Sequence, residues 1–181
     1  MKTLHNTRNC KYRKFLHTKL KHGKISGKFY KFICRSFPYR VTAREVEICV
    51  RMVLDLGAQI ERLKESGYGL LNISSKQVHK TSSGAFILSD KRDLYYKCTT
   101  EGMLDIIRPF KKEDSMAPEV LAIDNLPSEV SYTAAYYSLG NLACDVLGID
   151  RDISLLKPTK LFFLLERCMQ EDPSSRVFLF I

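Results

Sequence analysis

Thr42 and Glu45 frame the start of the segment that most limits how this chain can fold. A threonine followed three residues later by a glutamate is a capping box, in which hydroxyl and carboxylate each satisfy a backbone amide left without a partner by the first helical turn. Val46, Cys49, Val50, Val53, Leu56, Ile60 and Leu63 then recur at helical spacing. That pattern predicts a long amphipathic helix to about Glu65, stopped by Ser66-Gly67. Such a helix must bury its apolar stripe against other elements. At 181 residues the chain can supply them within one domain that has a real hydrophobic core.

The charge is unevenly placed. Of a net +9, residues 1–40 contribute twelve Lys and Arg and no Asp or Glu, and the first acid is Glu45. The rest of the chain carries seventeen basic and twenty acidic side chains, a net of −3. The sequence therefore divides into a basic N-terminal arm, 1–41, and a folded domain, 42–181. In the arm Lys11, Arg13, Lys14, Lys19, Lys21, Lys24, Lys28 and Lys31 are interleaved with Tyr12, Phe15, Phe29, Tyr30 and Phe32. Cations beside flat aromatic faces suit phosphates and stacked bases, so nucleic acid or an acidic surface is one expected partner. The plainer alternative is a solvated arm whose aromatics pack on the domain. The arm's "HGKISGKF" does not form a phosphate loop, because Phe29 stands where Ser or Thr is required after the lysine.

Hydrophobic residues at 45% and charged residues at 27% are ordinary for a globular protein, and no apolar run approaches the roughly 20 residues that span a bilayer. The first residues lack the apolar core of a secretory signal. Cys10, Cys34, Cys49, Cys98, Cys144 and Cys168 are scattered without zinc spacing, so they are read as reduced thiols of an intracellular protein, cytoplasmic or nuclear, with no metal and no cofactor. His5, His17 and His22 lie in the arm, where they tune its charge; His79 stands apart. No Gly-x-Ser-x-Gly or His-Glu-x-x-His motif is present. Beyond the helix, "GYGLLNISSKQVHKTSSGAFILSD" predicts a loop and a hairpin turning at Ser83-Gly84.

Ser115-Met116-Ala117-Pro118-Glu119-Val120-Leu121 resembles the end of a protein-kinase activation segment, whose landmark is Ala-Pro-Glu. Laid on the kinase pattern without a gap, Leu70-Leu71-Asn72 falls where His-Arg-Asp belongs, Ser74 at the loop lysine and Gln77 at the loop asparagine. Asp90-Lys91-Arg92 then falls at Asp-Phe-Gly, eighteen residues after Asn72. A second register starts the catalytic loop at His79. It puts Thr81 at the aspartate and Thr100-Glu101-Gly102 at Asp-Phe-Gly, needs an insertion and is the less favoured. Tyr137-Ser138-Leu139-Gly140 resembles the "WSLG" of the central kinase helix, with Ala135 where that helix carries an Asp. "LLERCMQEDPSSR" resembles the segment whose arginine, here Arg176, pairs with the glutamate of Ala-Pro-Glu.

The resemblance covers about residues 43–176 and implies the larger kinase lobe alone: a mainly α fold with a small β-hairpin, lacking the smaller lobe. Ala117, Pro118, Glu119, Gly140 and Arg176 are its structural residues, with a buried Glu119–Arg176 pair that is costly to break. The short interval from Gly140 to Arg176 implies a reduced or absent substrate-docking helix. Val177–Ile181 is expected either to pack onto the lobe or to form an exposed, partner-binding end.

Phosphoryl transfer needs a carboxylate to orient the attacking hydroxyl, cations for the phosphates and held metal ions. Asn72 has no useful basicity, Ser74 has no charge, and Gln77 carries its amide oxygen on a longer side chain. Asp90 alone keeps its type and serves equally as a turn cap. No glycine-rich loop or nucleotide lysine precedes them. The expected function is thus a catalytically inactive kinase-like protein, a pseudokinase that binds a kinase or kinase substrate by mimicry. Truncated kinase-like proteins of some large DNA viruses are similar in arrangement and interfere with host kinases. The alternatives are a nucleic-acid-binding protein acting through its arm and a degenerate serine/threonine kinase. Thr99, Thr100 and Ser115 fall in the activation-segment equivalent, where phosphorylation would add negative charge.

Overall fold

The computed structural model describes residues 42–89, 91–157, 159–178 and 180. The arm's cationic residues, from Lys11 to Lys31, and Asp90 lie outside them. The predicted first helix, α1, runs Ala43–Glu65, and both halves of the Thr42–Glu45 capping box are made. It ends at Ser66, whose amide returns to Arg62 and Leu63, and Gly67 then turns the chain at φ +78°.

Strand β1 (Tyr68–Leu70) leads into a loop and a hairpin of β2 (Val78–Lys80) and β3 (Phe86–Leu88). His79 pairs with Ile87, and the turn passes through Gly84 at φ +83°, at the expected Ser83-Gly84. Two α1 side chains complete the hydrogen bonding of β3. Asp55 Oδ2 accepts from the Phe86 amide, while Gln59 accepts from the Leu88 amide and donates to the Phe86 carbonyl. Gln59 is buried, and those partners offset the cost of burying its amide.

Strands β4 (Tyr95–Cys98), β5 (Met103–Ile106) and β6 (Ser128–Ser131) join β1 in an antiparallel sheet of order β1-β4-β5-β6. The short helix α2 (Pro118–Leu121) precedes β6; α3 (Ala134–Leu147) and α4 (Lys160–Cys168) follow it. This sheet overturns the expectation of a mainly α fold with a small hairpin: the chain is mixed, with a four-stranded antiparallel sheet besides the hairpin. Each missed strand spans three or four residues and points only one or two apolar side chains inward, such as Leu104 and Ile106 of β5. Alternation that short does not separate a strand from a loop.

Two apolar clusters hold these layers. In the larger, Ile60 and Leu63 of α1 meet Leu70, Phe86, Leu88, Tyr136, Leu139 and Leu165. In the smaller, the inner face of the sheet (Tyr96, Leu104, Ile106, Val130) meets Ala117, Val120 and Ala134. The C-terminal segment divides between the two expectations for it. Phe178 is buried, stacked on Tyr136 with ring centroids 5.5 Å apart, whereas Val177 and Phe180 are exposed. Between α3 and α4 the described chain forms only a single 3-10 turn, Ile153–Leu156.

Candidate functional site

The loop after β1 brings the expected catalytic-loop positions together, and each is tied to a neighbour. Leu71 and Ile73 point into the two apolar clusters, which fixes the loop between them. The Ile73 amide donates to Ser138 Oγ at 2.9 Å, and that hydroxyl donates to the Ala135 carbonyl at 3.0 Å. Ser138 of α3 therefore accepts the loop amide beside Ala135, where the resemblance leaves a carboxylate missing. Its fully buried hydroxyl has both partners on the protein.

Asn72 is 6% exposed and joins three segments. Its amide nitrogen donates to Glu113 Oε2 at 2.7 Å, and its amide oxygen accepts from Ser115 Oγ at 3.0 Å. The Ser115 carbonyl accepts from Asn141 Nδ2 of α3 at 3.0 Å. The chain Glu113–Asn72–Ser115–Asn141 thus binds the β1 loop to the segment before α2 and to the central helix. A carboxylate can only accept, so Glu113 calls for a donor, and an amide is the side chain that can donate to it and still accept from Ser115. The buried Asn141 Oδ1 has no hydrogen-bond partner among the described residues.

Gln77 is also engaged. Its Oε1 accepts from the Ser74 backbone amide at 2.9 Å, and its backbone amide donates to the Ser74 carbonyl at 2.9 Å. The oxygen that a metal would use instead holds the loop's turn. In the second register His79 lies within strand β2, and Thr81 hydrogen-bonds across the hairpin turn with Ala85. Among the described residues no group of three His, Cys, Asp or Glu side chains is placed to hold a metal ion.

Glu119 and Arg176 meet as a two-bonded pair. Arg176 Nη1 lies 2.5 Å from Glu119 Oε1, and Nη2 lies 2.8 Å from Oε2. The guanidinium also donates to the Gln170 and Glu171 carbonyls and lies over the Tyr137 ring, 5.1 Å from its centroid. The Arg176 side chain is wholly buried and that of Glu119 is 21% exposed. Pro118 opens α2 and places Glu119 in its first turn, where a negative charge suits the helix dipole. Ala117 is buried in the smaller cluster. Gly140 lets α3 approach the end of α4 closely, since a Cβ there would lie 2.4 Å from Met169 Cγ.

Reading the residues in order could not find Glu113 or Asn141, nor the Ile73 amide as the partner of Ser138, because nothing local marks a side chain whose partner is tens of residues away. Ser138 and Asn141, buried polar residues on a mostly apolar helix, were the available signal. A separate groove of about 850 Å³ lies along edge strand β6, between it, α2 and the turn before Arg176. Among the described residues no helix is long and apolar enough to cross a membrane. Compared with models of known protein families and with curated proteins, the chain gives no match to either.

Proposed function

We propose that this chain is an intracellular, kinase-like binding protein that transfers no phosphate and acts on a protein kinase or a kinase substrate by mimicry. The observation that carries the reading is Asn72. At the position where a catalytic carboxylate would have to receive a proton, the side chain is an amide, buried, with its nitrogen given to Glu113 and its oxygen to Ser115. An amide has no proton affinity to offer near neutral pH. Ser74 adds no charge for a phosphate, and the Gln77 oxygen is occupied by a backbone amide. The Glu119–Arg176 pair supports the relationship to kinases, because two separated motifs of that family meet as the family requires.

The test is affinity capture from cells with the full chain as bait, scored for protein kinases and their substrates. Stoichiometric recovery of one is the expected result; recovery of none contradicts the proposal. A thermal shift with magnesium and millimolar ATP addresses the catalytic half, and clear stabilisation by nucleotide would count against it. Nucleic acid as a partner of the arm rests on the charge partition. It predicts binding that falls steeply with salt and is lost on deleting residues 1–40.

A further inference from the structure

The groove along β6 has an acidic rim and an apolar floor. Glu119, Asp124, Glu129 and Asp172 line it together with Met103 and Ile123, and among the described residues no Lys or Arg does. Glu119 is held by Arg176, and Asp172 caps Ser174 and Ser175. Asp124 makes only a surface contact with Lys112 at 3.4 Å, a kind of exposed pair that water and salt screen heavily. Glu129 has no hydrogen-bond or ion-pair partner among the described residues. It lies directly opposite Asp105 on β5, but Asp105 faces Lys97 of β4 on its other side, so of the three charges in that cross-strand row Glu129 is the one at the open edge.

We propose that this groove is the docking site of the chain's own basic arm, residues 11–31, bound in cis. The chemistry matches on both counts. The arm offers Lys and Arg with no acid among them, and its Tyr12, Phe15, Phe29 and Tyr30 give apolar faces for the floor. Reach also permits it. Lys64, near the end of α1, sits 4.3 Å over the ring of Tyr132, the residue after β6, so the groove lies near the far end of that helix from Thr42. An arm leaving Thr42 must run back along a 23-residue helix, about 35 Å at 1.5 Å per residue. Roughly eleven extended residues cover that span, so the cations from Lys31 backwards reach the groove while Arg35 and Arg40 fall short. Docked there, the arm's lysines neutralise Glu129 and Asp124 and are withdrawn from any other acidic partner.

Lysine-to-lysine cross-linking of the full chain at low salt, mapped by mass spectrometry on the monomer, tests this. Lys112 beside Asp124 reports the groove. Links from Lys24, Lys28 or Lys31 to Lys112 are expected. They should fall about fivefold in the double variant Asp124→Asn, Glu129→Gln, and also in the wild type when salt rises from about 0.05 M to about 0.5 M. Absence of these links overturns the proposal. So do links that persist unchanged in the double variant and in salt, and links confined to covalent dimers, which would place the arm on a second copy.

Discussion

The Asn72 amide nitrogen lies 2.7 Å from Glu113 Oε2, and the same side chain accepts from Ser115 on its other side. The loop after β1 and the segment before α2 are tied to one another through this one side chain. Because the amide is buried, neither bond is diluted by water, and losing either would leave a polar group unpaired at a cost of about 1–3 kcal/mol. The loop after β1 is thereby a brace between the sheet, α2 and α3.

Glu119→Ala should destabilise the chain by about 3–5 kcal/mol, because it strands the wholly buried Arg176 guanidinium without its carboxylate. Glu119→Gln keeps one acceptor oxygen and should cost distinctly less. Chemical denaturation of both variants checks the ordering. Equal and small effects would mean that the arginine's carbonyl contacts suffice.

Gly57 lies within α1 beneath the Phe178 ring, and a Cβ there would stand 2.0 Å from Phe178 Cζ. In a free helix Gly→Ala gains about 1 kcal/mol. Here Gly57→Ala should instead cost about 1–3 kcal/mol by overpacking, and it should release the C-terminal segment. In a Phe178→Ala background the sign should reverse, with Gly57→Ala becoming stabilising. A double-mutant cycle by thermal unfolding reads that reversal directly.

These contacts show what the sequence could and could not convey. The capping box, the apolar period of α1 and the glycine turn of the hairpin are local, so Thr42–Glu65 and the Ser83-Gly84 turn were readable residue by residue. Glu119 and Arg176 were paired in advance only because each sits in a motif with a family meaning. The four-stranded sheet escaped because β4, β5 and β6 depend on cross-strand partners such as Leu104 and Val130 rather than on their own pattern. Glu113 escaped for the same reason: its role is set by Asn72, 41 residues earlier.

Burial pushes the Cys49 and Cys168 thiols up to about 12 and that of Cys144 up to about 11, while Cys98, half-buried, is raised with Lys64 pulling the other way. A thiol whose pKa is higher folded than unfolded contributes stability that is complete below the unfolded value, 9.0, and is lost as pH rises toward the folded one. Stability should therefore fall between about pH 9 and pH 12 from these groups. Alkylation of the native chain near pH 8 should label Cys98 well before Cys49, Cys144 and Cys168, with peptide mass mapping as the readout. Rapid labelling of Cys49 without unfolding would contradict the packing of α1 on α3.

The most direct test of the brace is thermal unfolding of Asn72→Asp beside the wild type. The substitution places a carboxylate against the Glu113 carboxylate and removes the donor between them. We expect a loss of about 2–4 kcal/mol at pH 7, a fall in Tm of roughly 6–12 °C, partly recovered as pH is lowered and the two carboxylates come to share a proton. A variant as stable as the wild type at pH 7 would contradict the account, because the amide that joins Glu113 to Ser115 would then hold nothing that a carboxylate could not.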